Sequence, residues 1–270
     1  MAQRSPHTGA PKHLHSLVEW RALLEMASLP LAWPLLANAP RGDGHPVLLL
    51  PGFMAREGTL VPLKRFLKGR GYNVQTWGLG RNLGFQRRHA DALVNKIRYL
   101  HHQTGRRVSL VGWSLGGVFA LYGAHQASEC VRQVITLGSP ISVDPEGSQT
   151  APLVKALYRM IAHPMGPQVH TMQPRVKKML HGELPPVPIS CLYSISDGVV
   201  PPQEATVDGN DKSVENIRVY GSHTGLGFNP MVMCIVADRL SQPEGRWRPF
   251  RPDGWGGAVY RTLTHAAMPL

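Results

Sequence analysis

Apolar and polar positions alternate along this chain on two length scales. Short runs such as Val47-Leu48-Leu49-Leu50 and Val108 to Val111 are apolar at nearly every position, as expected of strands buried on both faces. Longer stretches between them, such as 87–103, keep a polar face and read as helices laid over those strands. Strand candidates fall at 47–50, 73–77, 107–111, 133–137, 189–195 and 216–220, and 225–240 reads as a closing helix. The alternation predicts an α/β fold with a mostly parallel central sheet and helices on both faces.

One junction in this pattern carries chemistry. Gly112-Trp113-Ser114-Leu115-Gly116-Gly117 joins a strand to an apolar-rich helix and contains G-x-S-x-G. A tight strand-to-helix turn strains its central residue, and small neighbours tolerate that strain while the side chain is lifted clear of the sheet. Ser114 is therefore a candidate nucleophile. Its bland reading is a helix cap eased by glycines.

Chain order favours the nucleophile. The strand 189–195 runs into Asp197, 83 residues after Ser114, and the strand 216–220 runs into His223, 26 residues further on. Each falls just past a strand end, in the order Ser, Asp, His. Upstream, Val47 to Leu50 ends in Pro51-Gly52-Phe53-Met54. Acyl transfer places negative charge on a former carbonyl oxygen, so two fixed backbone N–H groups are needed, and Phe53 and Leu115 are the candidates. Asp144, after the strand 133–137, is a rival acid. Asp208 and Asp211 read as turn formers. The Gly-rich stretch 77–84 lacks the spacing of a dinucleotide loop and reads as a turn near the cleft.

On these motifs residues 45–240 resemble the α/β-hydrolase superfamily, in the style of small bacterial lipases and esterases. The resemblance implies Ser114 as nucleophile, Asp197 as acid, His223 as base, and Phe53 and Leu115 as oxyanion donors. It implies no cofactor and no metal. Pro51 stands where many members carry histidine. The expected reaction is cleavage of a small carboxylic ester with an apolar acyl part. An acyltransferase on the same fold, or a binding module without turnover, is the alternative.

Three segments lie outside the repeating pattern. Residues 1–44 form an N-terminal helical extension, in which Leu17, Trp20, Leu24 and Ala27 keep helical spacing. That stripe predicts docking on the domain, or on a membrane or partner. Glu19, Arg21, Glu25, Pro30 and Pro34 interrupt 14–36, so it is no membrane span. Residues 144–188 form an insertion read as a small helical cap. Met160, Met165, Met172 and Met179 within it suit an adaptable acyl-binding surface, or simply pack short helices onto the domain. The tail 241–270, with Trp247, Phe250, Trp255 and Tyr260, is expected to pack on the domain.

Charge alters the picture in one place. The net +12 is concentrated in 56–107, where 12 Lys and Arg face only Glu57 and Asp91. Solvated helix faces explain this most simply, with peripheral contact to an anionic membrane surface as a second reading. Aromatic interleaving is sparse, and nucleic acid is not an expected partner. The first residues do not read as a signal peptide. The three cysteines read as buried free thiols, and together these favour the cytoplasm.

Overall fold

A computed structural model describes residues 19–141, 184–207 and 211–252, with Gly257 and Tyr260. Leu17, Asp144, Asp208, the four methionines of the expected cap, and Trp255 lie outside the described residues.

All six strand candidates form strands. They are β1 (Pro46–Leu50), β2 (Asn73–Thr76), β3 (Val108–Trp113), β4 (Val131–Leu137), β5 (Ile189–Ser194) and β6 (Val214–Val219). Every pairing between them is parallel, and the order across the sheet is β2-β1-β3-β4-β5-β6. Every residue of β1, β3 and β4 is buried; the continuous apolar run of β1 predicts this, while β3 and β4 also bury the polar Ser109, Arg132, Gln133 and Thr136. Strands β2 and β6 lie at the edges and alternate between buried and more exposed positions.

The period of two along each strand builds two cores. Leu48, Leu50, Val108, Leu110 and Val134 face α4 (Arg87–Thr104) and α5 (Leu115–Gln126) through Leu93, Ile97, Leu100 and Phe119. Val47, Leu49, Val111, Ile135 and Leu137 face the opposite way. There they pack with Leu63 and Leu67 of α3 (Val61–Gly69) and with Val232, Ile235 and Val236 of α6 (Pro230–Ser241). Helix α5 is apolar nearly all round because it sits over the sheet centre.

The closing helix starts later than its pattern suggested. Asn229 caps it, accepting the N–H groups of Met231 at 3.0 Å and Val232 at 3.3 Å, and Pro230 occupies the first turn. Residues 223–228 are turns instead.

The N-terminal segment differs more. After a 3-10 turn (Glu19–Arg21), α1 (Ala22–Ala27) and α2 (Trp33–Ala37) lie on the second face. Trp20 and Leu24 are 62% and 60% exposed, and Ala27 is also exposed. The apolar stripe therefore points away from the domain, and Ala22 with the charged residues between makes the contact. Arg70 anchors the end of this segment through the carbonyls of Ala37, Ala39 and Pro40. Part of the basic region is thus committed to structure. Among the described residues no helix is long and apolar enough to cross a membrane.

Cys130 and Cys191 are buried, Cys234 is half-buried, and all three are free. A buried ion pair joins α6 to β6, with Arg239 Nη1 3.0 Å from Glu215 Oε1, and both partners hold the tail, Arg239 Nη1 donating to the Arg248 carbonyl at 2.7 Å. Glu215 also accepts the Phe250 N–H at 2.6 Å, and the guanidinium lies 5.2 Å from the Phe250 ring centroid. Arg239→Ala strands a buried carboxylate and is expected to lower stability by ~3 kcal/mol or more in chemical denaturation. Arg239→Met should recover little of that loss, because the charge left behind is the cause.

Candidate active site

In a parallel sheet the loops after the strand C-termini gather on one edge. The sequence-predicted site residues stand on those loops. Ser114 follows β3, Pro51-Gly52-Phe53 follows β1, Asp197 follows β5, and His223 follows β6.

Ser114 has φ 53° and ψ −125°, a left-handed conformation that a residue with a Cβ adopts under constraint, at ~1–3 kcal/mol. The glycines around it make the constraint fit. A Cβ on Gly112 would lie 2.3 Å from the Gly116 carbonyl oxygen, and one on Gly116 would lie 2.3 Å from that of Leu50. The strand before the serine, the helix after it and the end of β1 are in backbone contact, and no side chain fits between them. Leu115 is the first residue of α5, where backbone N–H groups lack helical acceptors.

The loop after β1 lies against the serine, since a Cβ on Gly52 would sit 3.2 Å from Ser114 Cβ and 3.8 Å from its Oγ. Asn82, fully buried, fixes that loop. Its side-chain amide donates to the Pro51 carbonyl at 2.8 Å, its carbonyl accepts the Met54 N–H at 2.7 Å, and its N–H donates to Ala55 at 3.0 Å. The Gly-rich stretch thus braces the loop beside the serine. Composition hid this role, because asparagine in a glycine-rich turn reads as a turn former.

Asp197 and His223 are brought together. His223 Nδ1 lies 2.8 Å from Asp197 Oδ2, and the residues are 7% and 2% exposed. Asp197 Oδ1 accepts the N–H groups of Val199 and Val200, both at 2.8 Å. Burial disfavours a charged imidazole, but the Asp197 charge, its hydrogen bond and the Glu19 charge outweigh that, so the His223 pKa is raised above 6.5. Trp113 Nε1 donates to the His223 carbonyl at 3.1 Å, tying the histidine loop to the strand that carries Ser114. Ser194 Oγ, donating to the Gly221 carbonyl at 2.7 Å, ties the acid loop to the histidine loop. Asp211 is a turn former, with Oδ1 accepting from Ser213 N at 2.8 Å.

Two carboxylates absent from the predicted site reach these loops from the N-terminal segment. Glu19 accepts the His223 N–H at 3.0 Å, and Glu25 accepts the Ser222 N–H at 2.7 Å. Charge inside an otherwise apolar helix was the available signal. Its partner, some 200 residues away in sequence, was not.

No protein-family model and no curated protein matches the sequence. Solved structures do match in fold. Aspergillus fumigatus lipase B superposes with a TM-score of 0.55 at 17% identity, over 77% of this chain and 55% of that one. The chain thus spans about half the length of that lipase. The mature Bacillus licheniformis lipase BlEst2 gives 0.51 at 16% identity, over 76% of this chain and 95% of the lipase. Paleococcus ferrophilus monoacylglycerol lipase gives 0.50 at 16%, over 74% and 96%. With its parallel sheet order and a serine turn after the third strand, this chain has the α/β-hydrolase fold.

Proposed function

We propose that the protein is a serine hydrolase cleaving small carboxylic esters through an acyl-enzyme. The observation that carries the reading is the buried Asp197–His223 pair, on the same sheet edge as the strained turn that presents Ser114. Lipases among the structures of like fold agree with an ester substrate.

A serine hydroxyl near neutral pH needs a base. With Nδ1 engaged by Asp197, the imidazole offers Nε2 to take the Ser114 proton. Oγ then bonds to the ester carbonyl carbon, and negative charge gathers on the carbonyl oxygen. The backbone N–H groups of Phe53 and Leu115 are assigned to receive it. As the tetrahedral species collapses, the carbon–oxygen bond to the alcohol breaks and Nε2 returns its proton to that alcohol. Water, deprotonated by the same nitrogen, releases the acid and restores the serine.

The test is labelling by a fluorophosphonate. The folded protein should take one adduct on Ser114, Ser114→Ala should take none, and His223→Ala should label far more slowly. Because His223 must be neutral to act, and its pKa is raised, the labelling rate should climb with pH with a midpoint above 6.5. No adduct, or one undiminished in His223→Ala, would leave a binding module in place of an enzyme.

A further inference from the structure

We infer that Glu19 is a positioning residue of the active centre, tying the Asp197 loop to the His223 loop and setting the surroundings of the imidazole. This rests on the proposed role of His223 as the base.

The geometry is specific. Glu19 Oε1 accepts the N–H of Gly198 and the N–H of His223, each at 3.0 Å, while Oε2 accepts that of Thr224 at 2.9 Å. One carboxylate bridges the residue after the acid and the histidine itself. Arg21 repeats the bridge with opposite polarity, donating to the Ser196 carbonyl on one loop and to Gly221 on the other at 3.3 Å. Glu25 holds Ser222 and also accepts from the Asn229 side-chain amide at 3.0 Å. A Cβ on Gly225 would lie 2.2 Å from Glu25 Oε2, so the loop is shaped to admit that carboxylate.

A segment docked only for stability would bury its apolar positions. Here Trp20, Leu23 and Leu24 stay exposed, Ala22 is the one residue of the helix that is buried, and the hydrogen bonds made are from charged side chains aimed at two loops. The negative groups acting on His223 are Asp197 and Glu19, and the Trp113 ring stands 6.3 Å from its imidazole. Arg21 and Glu25 act on the backbone to either side. Burial works against the charge on Glu19, but the hydrogen bonds from Thr224, His223 and Gly198 outweigh it, and its pKa is lowered. The carboxylate is therefore ionised wherever the histidine titrates.

Two substitutions separate charge from packing. Glu19→Gln removes the charge and keeps one oxygen, enough for the Gly198 and His223 N–H groups though not for that of Thr224; Glu19→Ala removes all three acceptor contacts and the charge. In the full chain, two quantities are followed with pH: fluorophosphonate labelling of Ser114, and the His223 imidazole resonances, assigned by their loss in His223→Ala. Glu19→Gln should move the histidine titration and the acid limb of labelling to lower pH. Glu19→Ala should also slow labelling at its plateau ~10- to 100-fold. An unchanged titration, with labelling lost only as far as the folded fraction falls, would overturn the inference and leave Glu19 as a structural anchor. If wild-type protein takes no label, the proposed function fails, and the histidine titration still decides the place of Glu19.

Discussion

Asp197→Asn is expected to lower ester turnover and fluorophosphonate labelling ~10⁴-fold while leaving the fold intact. The size follows from how the carboxylate is held. Its Oδ1 is fixed by two backbone donors, Val199 and Val200, so an asparagine must place its carbonyl oxygen there. The amide nitrogen is then forced toward His223 Nδ1. A donor facing Nδ1 selects the tautomer with the proton on Nε2, which cannot accept a proton from Ser114. Circular dichroism and thermal melting should stay close to wild type, because the hydrogen-bond count around the side chain is preserved. The rival acid supplies the control: Asp144→Asn should label within about twofold of wild type. The reverse pattern would make Asp144 the acid.

The sheet was legible in the sequence because its central strands are buried on both faces, which favours apolar-rich runs, unbroken in Val47 to Leu50 and interrupted by a few buried polar residues in β3 and β4. The strand ends were legible for the same reason, and with them the positions of Ser114, Asp197 and His223. The start of α6 could have been found too. Asn229-Pro230 is a cap followed by a first-turn proline, a start signal that outweighs the apolar pattern before it. The orientation of the N-terminal helix could not. Spacing of apolar residues says which positions share a face, and it assumes that face turns inward. Here the inward face is Glu19, Arg21, Ala22 and Glu25, because backbone N–H and carbonyl groups of two distant loops offer more to charged side chains than to leucine. Asn82 and Ser194 were hidden likewise, since a hydrogen bond across the fold leaves no period in the sequence.

The elbow also sets a stability limit, and Gly116→Ala should reveal it at a cost of ~3–5 kcal/mol, at the upper end for single substitutions. The added methyl would stand 2.3 Å from the Leu50 carbonyl oxygen and 2.8 Å from that of Pro51. Both obstacles are backbone, at the end of a fully buried central strand, so neither can swing aside as a side chain would. Relief requires α5 to lift from β1, which opens the core around Phe119 and Val118 and pulls Leu115 away from the loop carrying Phe53. Stability and labelling should therefore fall together, with the melting temperature down by ~10 °C for a chain of this size. Gly69→Ala is the matched control. Nothing lies within 4 Å of a Cβ there, and the residue ends α3, so the change should be neutral or stabilise by a few tenths of a kcal/mol. If Gly116→Ala melted with Gly69→Ala, the contact between helix and strand would be compliant. The strained φ of Ser114 would then have to be held by the loop after β1 alone.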